Sequence, residues 1–122
     1  MPFPAFYPPE DYEPPPAPPI FGTEQRTRLL LLIAIFEETY TAELSKFGGS
    51  SISSVQLTLD ILEREGLIAT GGPVVRRVTL NPAYPAAKEL KALLLRVAEG
   101  YPEYETIRET IRRRPRRRGK EL

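Results

Sequence analysis

Any chemistry in this chain has to be done without thiols or imidazoles. Among its 122 residues there is no cysteine and no histidine. That removes thiol nucleophiles, disulfides, zinc fingers, histidine general bases and thiol-based metal sensing together. Carboxylate, hydroxyl, lysine or hard-metal chemistry is what remains. The carboxylates of Glu37-Glu38 and Glu63-Arg64-Glu65 have the spacing of ordinary exposed helix charges. Gly48-Gly49-Ser50-Ser51 is a glycine-rich stretch before a helix, a place where a phosphate can be cradled. It lacks the GxxxxGK[ST] spacing and its lysine. The sequence is therefore read as non-enzymatic, with no cofactor and no metal site. The groups that do stand out are cationic or polar and clustered. They are Arg76-Arg77, the run Arg112, Arg113, Arg114, Arg116, Arg117 and Arg118 broken only by Pro115, and the set Ser51, Ser53, Ser54, Gln56 and Thr58. Such donors suit phosphate oxygens and base edges.

The charge distribution agrees with that emphasis. The composition, 41% hydrophobic and 27% charged, fits one small globular domain with appendages. The net charge of +1 conceals three unlike pieces. Residues 1–23 hold three acids and no base, together with nine of the 14 prolines and the aromatics Phe3, Phe6, Tyr7, Tyr12 and Phe21. Residues 24–107 carry nine bases against eleven acids, and residues 108–122 carry eight bases against two acids. The balances are −3, −2 and +6. Each proline removes a backbone donor and fixes φ, so residues 1–22 are expected as an extended or disordered arm, with aromatics able to dock on a partner or second subunit. The arm lacks the basic start and apolar stretch of a secretory signal and is expected to be retained. The longest apolar run, Leu29 to Phe36, is eight residues. A membrane span needs about 20, so a soluble, cytoplasmic chain without a membrane partner is expected.

The elements that must position these groups follow from caps, stops and periodicity. Thr23 caps a helix predicted over Glu24–Thr39. Its eight consecutive apolar residues cover every face, which predicts burial against a second subunit as well as the home core. A short helix, Thr41–Phe47, stops at Gly48-Gly49. A third, capped by Ser50 or Ser51, runs to Glu65, with Ile52, Val55, Leu59 and Leu62 as its inward stripe and Ser53, Ser54, Gln56 and Thr58 largely outward. Strands are predicted at Leu67–Thr70 and Val74–Leu80 around Gly71-Gly72-Pro73, with Arg77 facing away from the core and Arg76 splaying outward near the turn. Asn81-Pro82 closes the second strand. A helix from Pro85 presents Leu90, Leu93, Leu94 and Val97. A last one, from Pro102 to Pro115, presents Tyr104, Ile107 and Ile111.

That order, with its motifs, resembles the winged helix-turn-helix DNA-binding domain shared by bacterial ArsR-like and MarR-like transcription regulators. The matching stretches are TAELSKFGGSSISSVQLTLDILEREGLI (41–68), VVRRVTLNP (74–82) and YPAAKELKALLLRV (84–97), within residues 23–99. The resemblance implies a mainly α fold with a small β-hairpin as the wing and flanking C-terminal helices. It implies a third helix that enters the major groove, and a homodimer that acts as a repressor on half-sites about 10 base pairs apart or multiples of that. By residue, it places Ser51, Ser53, Ser54, Gln56 and Thr58 where bases or phosphates are touched, with Gln56 suited to adenine. It gives Arg76 and Arg77 the wing's backbone or minor-groove contacts. Residues 100–114 become a candidate dimerisation helix and 115–122 a basic tail. Arg26 and Arg28 are weaker candidates.

Two departures keep a second reading open. Related recognition helices often carry arginine or lysine where this chain has Leu57, Asp60 and Ile61. Leu57 and Ile61, four residues apart, make a second apolar strip. The alternative is thus a protein-interaction module that uses Leu57, Ile61 and the proline-aromatic arm, with little sequence-specific DNA binding. No small-molecule or protein effector is identifiable from the sequence.

Overall fold

The computed structural model describes Pro8 and residues 12–113. In chain order the elements are α1 (Glu24–Phe36), β1 (Thr39–Tyr40), α2 (Thr41–Gly48), α3 (Ile52–Arg64), β2 (Ile68–Gly71), β3 (Arg77–Leu80), α4 (Ala87–Ala98) and α5 (Pro102–Arg113). The protein is mainly helical, with one small antiparallel sheet in the order β1-β3-β2. Among the described residues no helix is long and apolar enough to cross a membrane.

α1 organises the rest. The extended backbone of Thr23 brings its Oγ1 to accept the Arg26 N–H at 3.0 Å, satisfying one donor that a helix start leaves free. Residues Leu29–Phe36 are each at most 7% exposed. The expectation that their surplus face needs a second subunit is corrected here, because one chain covers it. α2, α3, α4, α5 and β3 all contact α1, and Ala17 of the proline arm joins the same core cluster.

α1 also ends earlier than predicted, at Phe36 rather than Thr39. Glu37 takes φ 70°, and its N–H closes on the Ile33 carbonyl at 2.9 Å. Positive φ on a residue with a Cβ costs about 1–3 kcal/mol. It turns the chain so that Thr39 and Tyr40 pair with Val78 and Arg77 as the third strand. A two-residue strand has no periodicity to read, so the sequence shows only the hairpin.

That hairpin is shorter than expected. β2 and β3 run in register from Ile68↔Leu80 to Gly71↔Arg77, and residues 72–76 form a loop. Val74 and Val75 have no strand opposite them once β2 ends, and they stand in solvent. The side chain of Asn81 fixes the other end. Its Nδ2 donates to the Gly66 carbonyl at 3.0 Å and its Oδ1 accepts the Ala83 N–H at 3.0 Å, which ties the end of β3 to the stop of α3.

The inward faces of the later helices are narrower than their leucine patterns indicate. Val55, Leu59 and Leu62 of α3 are fully buried, but Ile52 is 49% exposed because it starts the helix beyond the edge of the core. On α4, Leu90 and Leu94 are buried whereas Leu93 is exposed. On α5, Tyr104 and Ile107 are buried and Ile111 half-buried.

Residues 12–22 run without helix or strand across α1, the end of α2 and α5. Tyr12 stacks edge-on against Phe47, with centroids 5.8 Å apart, and donates to the Phe47 carbonyl at 2.9 Å. Arg28 Nε donates to the Pro15 carbonyl at 2.8 Å, and the Tyr104 hydroxyl to the Pro16 carbonyl at 2.9 Å. Burial pushes the Tyr12 hydroxyl up to about 12, partly opposed by Arg28, and pushes Tyr104 higher for the same reason. Gly49, at φ 71°, lies beneath Pro14, and a Cβ there would overlap the Pro14 ring.

Candidate nucleic-acid interface

The start of α3 is held from two sides. Ser51 caps it, its Oγ accepting the Ser54 N–H at 3.1 Å. Gln25, in the first turn of α1, reaches across with its amide. Its Nε2 donates to Ser54 Oγ at 2.9 Å and Thr58 Oγ1 at 3.1 Å, and its Oε1 accepts the Ser50 hydroxyl at 2.6 Å. Ser54 and Thr58, expected on the outer side, therefore face α1, and Thr58 is buried. They sit four residues apart beside the apolar stripe and form its polar edge, because α1 presents Gln25 opposite them. Gln25 lies within the polar stretch Glu24–Arg28 that opens α1, so the sequence carries no signal that singles it out.

What α3 leaves outward is Ser53, Gln56, Leu57, Asp60, Glu63 and Arg64, with Ile52 at its start. Leu57 is 67% exposed and Ile61 half-buried. Beside them the 72–76 loop exposes Val74 at 91% and Val75 at 54%. Four large apolar side chains thus stand on α3 and the adjoining loop.

The two loop and strand arginines are engaged. Arg76 does not splay outward as expected. Its guanidinium folds onto α3, 3.0 Å from Asp60 Oδ1 and 3.2 Å from Glu63 Oε1, while Thr70 donates to the other Glu63 oxygen at 2.9 Å. The nearby carboxylates of α3 are the reason, since a cation beside them has no cause to leave. Arg77 is outward and half exposed, as strand parity requires, and its Nε lies 2.9 Å from Glu38 Oε2. Exposed pairs of this kind contribute up to about 1 kcal/mol each and exchange readily. Arg28 is committed to Pro15 and to Glu24, 2.8 Å away.

Arg112 and Arg113 close α5. Arg114, Arg116, Arg117 and Arg118 lie outside the described residues, as do Phe3, Phe6 and Tyr7 of the arm. Ser51 at the cap and Ser53 and Gln56 on α3 are exposed, Arg76 lies on the C-terminal half of α3, Arg77 is turned to Glu38, and Ser54 and Thr58 face the interior. A crevice of about 300 Å³ opens separately between α1, β3 and α4, with Ile33, Ala34 and Leu80 as its floor and Lys88 and Lys91 at its rim. Among the described residues no group of three or more acidic side chains has a metal-holding arrangement.

No family model, curated protein or solved structure matches this chain. Function is read from the geometry and its chemistry.

Proposed function

We propose that residues 23–99 form a winged helix-turn-helix unit that binds double-stranded DNA and regulates transcription, as a repressor on fold analogy. The observation that carries the reading is the mounting of α3. Capped by Ser51 and clamped from behind by Gln25, it presents Ser53 and Gln56 on the side away from the core, beside a hairpin stapled to it through Arg76. A helix held rigidly along one face can present the other to the major groove, where a glutamine amide matches the N6 and N7 of adenine. Arg77 on the outward face of the hairpin supplies a phosphate contact once it exchanges Glu38 for DNA. Few base readers remain on α3, so most of the affinity falls to the arginines at 112–118, which position without reading sequence.

Arg76 is restrained in this scheme. Asp60 and Glu63 hold it and also set negative charge beside the groove that phosphates would line. The pair makes α3 a poorer DNA surface than its fold permits.

A second reading, protein docking, is favoured by one specific observation: Ile52 and Leu57 on α3 and Val74 and Val75 on the adjoining loop are all exposed. A DNA-facing helix gains little from leucine and valine at those places. The arm contributes less to this reading than the sequence indicates, because Tyr12 and Phe21 are half-buried against their own chain.

Duplex fragments from the gene's own upstream region, titrated across a salt series, separate the two. Ending the chain at Ile111 should flatten the log–log salt slope by about 5, the effect of six lost arginines. Gln56→Ala should cost about 1–3 kcal/mol of preference for one fragment over others. Asp60→Asn with Glu63→Gln should tighten binding several-fold by releasing Arg76. Absence of saturable binding at low salt would overturn the DNA reading and leave docking through Leu57 and its neighbours.

A further inference from the structure

The crevice between α1, β3 and α4, about 300 Å³ in volume, lies away from α3 and the 72–76 loop. Its size is at the lower end for small-molecule pockets, about 300–1,000 Å³. Ile33 and Ala34 of α1, both buried, make its floor with Leu80 at the end of β3. Pro82 and Ala87 line it where the chain passes from β3 into α4. Two of these five residues are alanines, whose short side chains leave the space open. Asn81 at its edge is held in place, since its amide is spent on Gly66 and Ala83. None of the described residues that line the crevice is aromatic.

The rim has the opposite chemistry. Lys88 and Lys91 stand there on the first two turns of α4, facing Glu37 on the turn that ends α1. Lys91 Nζ is 3.7 Å from Glu37 Oε2, a loose pair whose carboxylate side chain is 72% exposed. Among the described residues no carboxylate pairs with Lys88. Two cations thus face one carboxylate. The start of α4 adds to the positive side, because Ala86 at its cap offers no side-chain oxygen to the first N–H groups. Glu89, the acid of that first turn, does not line the crevice.

An apolar floor beneath a rim with one surplus cation suits an amphipathic anion. Its body leaves water, while its head stays where both Lys88 and solvent reach it. A single surplus charge matches one carboxylate. A lining of Ile, Leu, Ala and Pro gives an aromatic ring no face to stack on and accepts an alkyl chain equally well.

We propose that this crevice binds a small aliphatic monocarboxylate, with its chain on Ile33, Ala34 and Leu80 and its head at Lys88. Glu37 competes with the ligand for Lys91 and limits the affinity. The site stands whether or not α3 binds DNA, because none of its residues belongs to that surface.

Octanoate is the probe. Calorimetric titration into the full chain should give saturable one-to-one binding with a dissociation constant below about 1 mM, the scale open to so few atoms in an open crevice. Octylamine, with the same chain and the opposite charge, should bind at least about ten-fold more weakly. Lys88→Gln should weaken octanoate about three- to five-fold, and Glu37→Gln should tighten it about two- to three-fold by leaving Lys91 to the ligand. Ala87→Leu fills the crevice from its exposed side and should abolish binding. Octylamine binding as tightly as octanoate, or a constant unmoved by both Lys88→Gln and Glu37→Gln, overturns the anion site. So does a titration without saturation by about 10 mM octanoate, or a folded Ala87→Leu that binds as wild type does. Should Ala87→Leu not fold, the methyl resonances of Ile33 and Leu80 in the wild type decide the place. Shifts that saturate with octanoate support the crevice, and shifts confined to other residues overturn it.

Discussion

Where α1, α5 and the arm meet, polar atoms turn inward and find partners. The Tyr104 hydroxyl is spent on Pro16, Arg28 on Pro15 and Tyr12 on Phe47. Where α3 meets the 72–76 loop, large apolar side chains turn outward, and Arg76, Asp60 and Glu63 pair at the surface. Ile52 and Leu57 on α3 and Val74 and Val75 on the loop are exposed apolar side chains that no element of the described residues covers.

That comparison breaks most forcefully at Leu31. Leu31→Ala should destabilise by about 2–5 kcal/mol, read by urea unfolding, and the loss should be the same at every protein concentration. A loss that grows on dilution would mean that a second chain, not the arm, completes the core. Alkali gives the next effect. Burial holds the folded pKa of Tyr12 above the ordinary tyrosine value of 10.0, so its contribution is complete below pH 10 and is lost as pH rises toward about 12. Unfolding stability should fall by on the order of 2 kcal/mol across that window. Absorbance should show Tyr12 and Tyr104 ionising above the ordinary tyrosine range. The smallest effects separate the two faces of α3. Gln25→Ala strands the hydroxyls of Ser54 and Thr58 and should cost about 1–3 kcal/mol. Leu57→Ser should change stability by less than about 0.5 kcal/mol, and a larger loss would make Leu57 part of the core.

Much of the fold was legible because its boundaries are written in single residues. Thr23 and Ser51 cap, Gly49 and Gly66 stop, and Asn81 closes, each for a local reason that needs no neighbour. What was not legible depends on partners far along the chain. The turn at Glu37 and the two-residue strand after it are set by Val78 and Arg77. The arm reads as proline-rich coil because its partner Tyr104 lies 88 residues away. The candidate site suffered most from this. Ser54 and Thr58 are polar and read as outward until Gln25 is seen opposite. Arg76 reads as free until the hairpin brings it to Asp60 and Glu63. Ser53, Gln56 and Arg77 kept their outward places because helix phase and strand parity alone decide them.

One contact has a mechanical consequence. Pro14 rests on Gly49 so closely that no other residue could share the space, and Gly49 is the turn from which α3 springs. The arm is a collar around the bearing of that helix. Seating the arm therefore fixes the end of α2 from which the chain leads to the cap of α3, the helix that carries Ser53, Gln56 and Leu57.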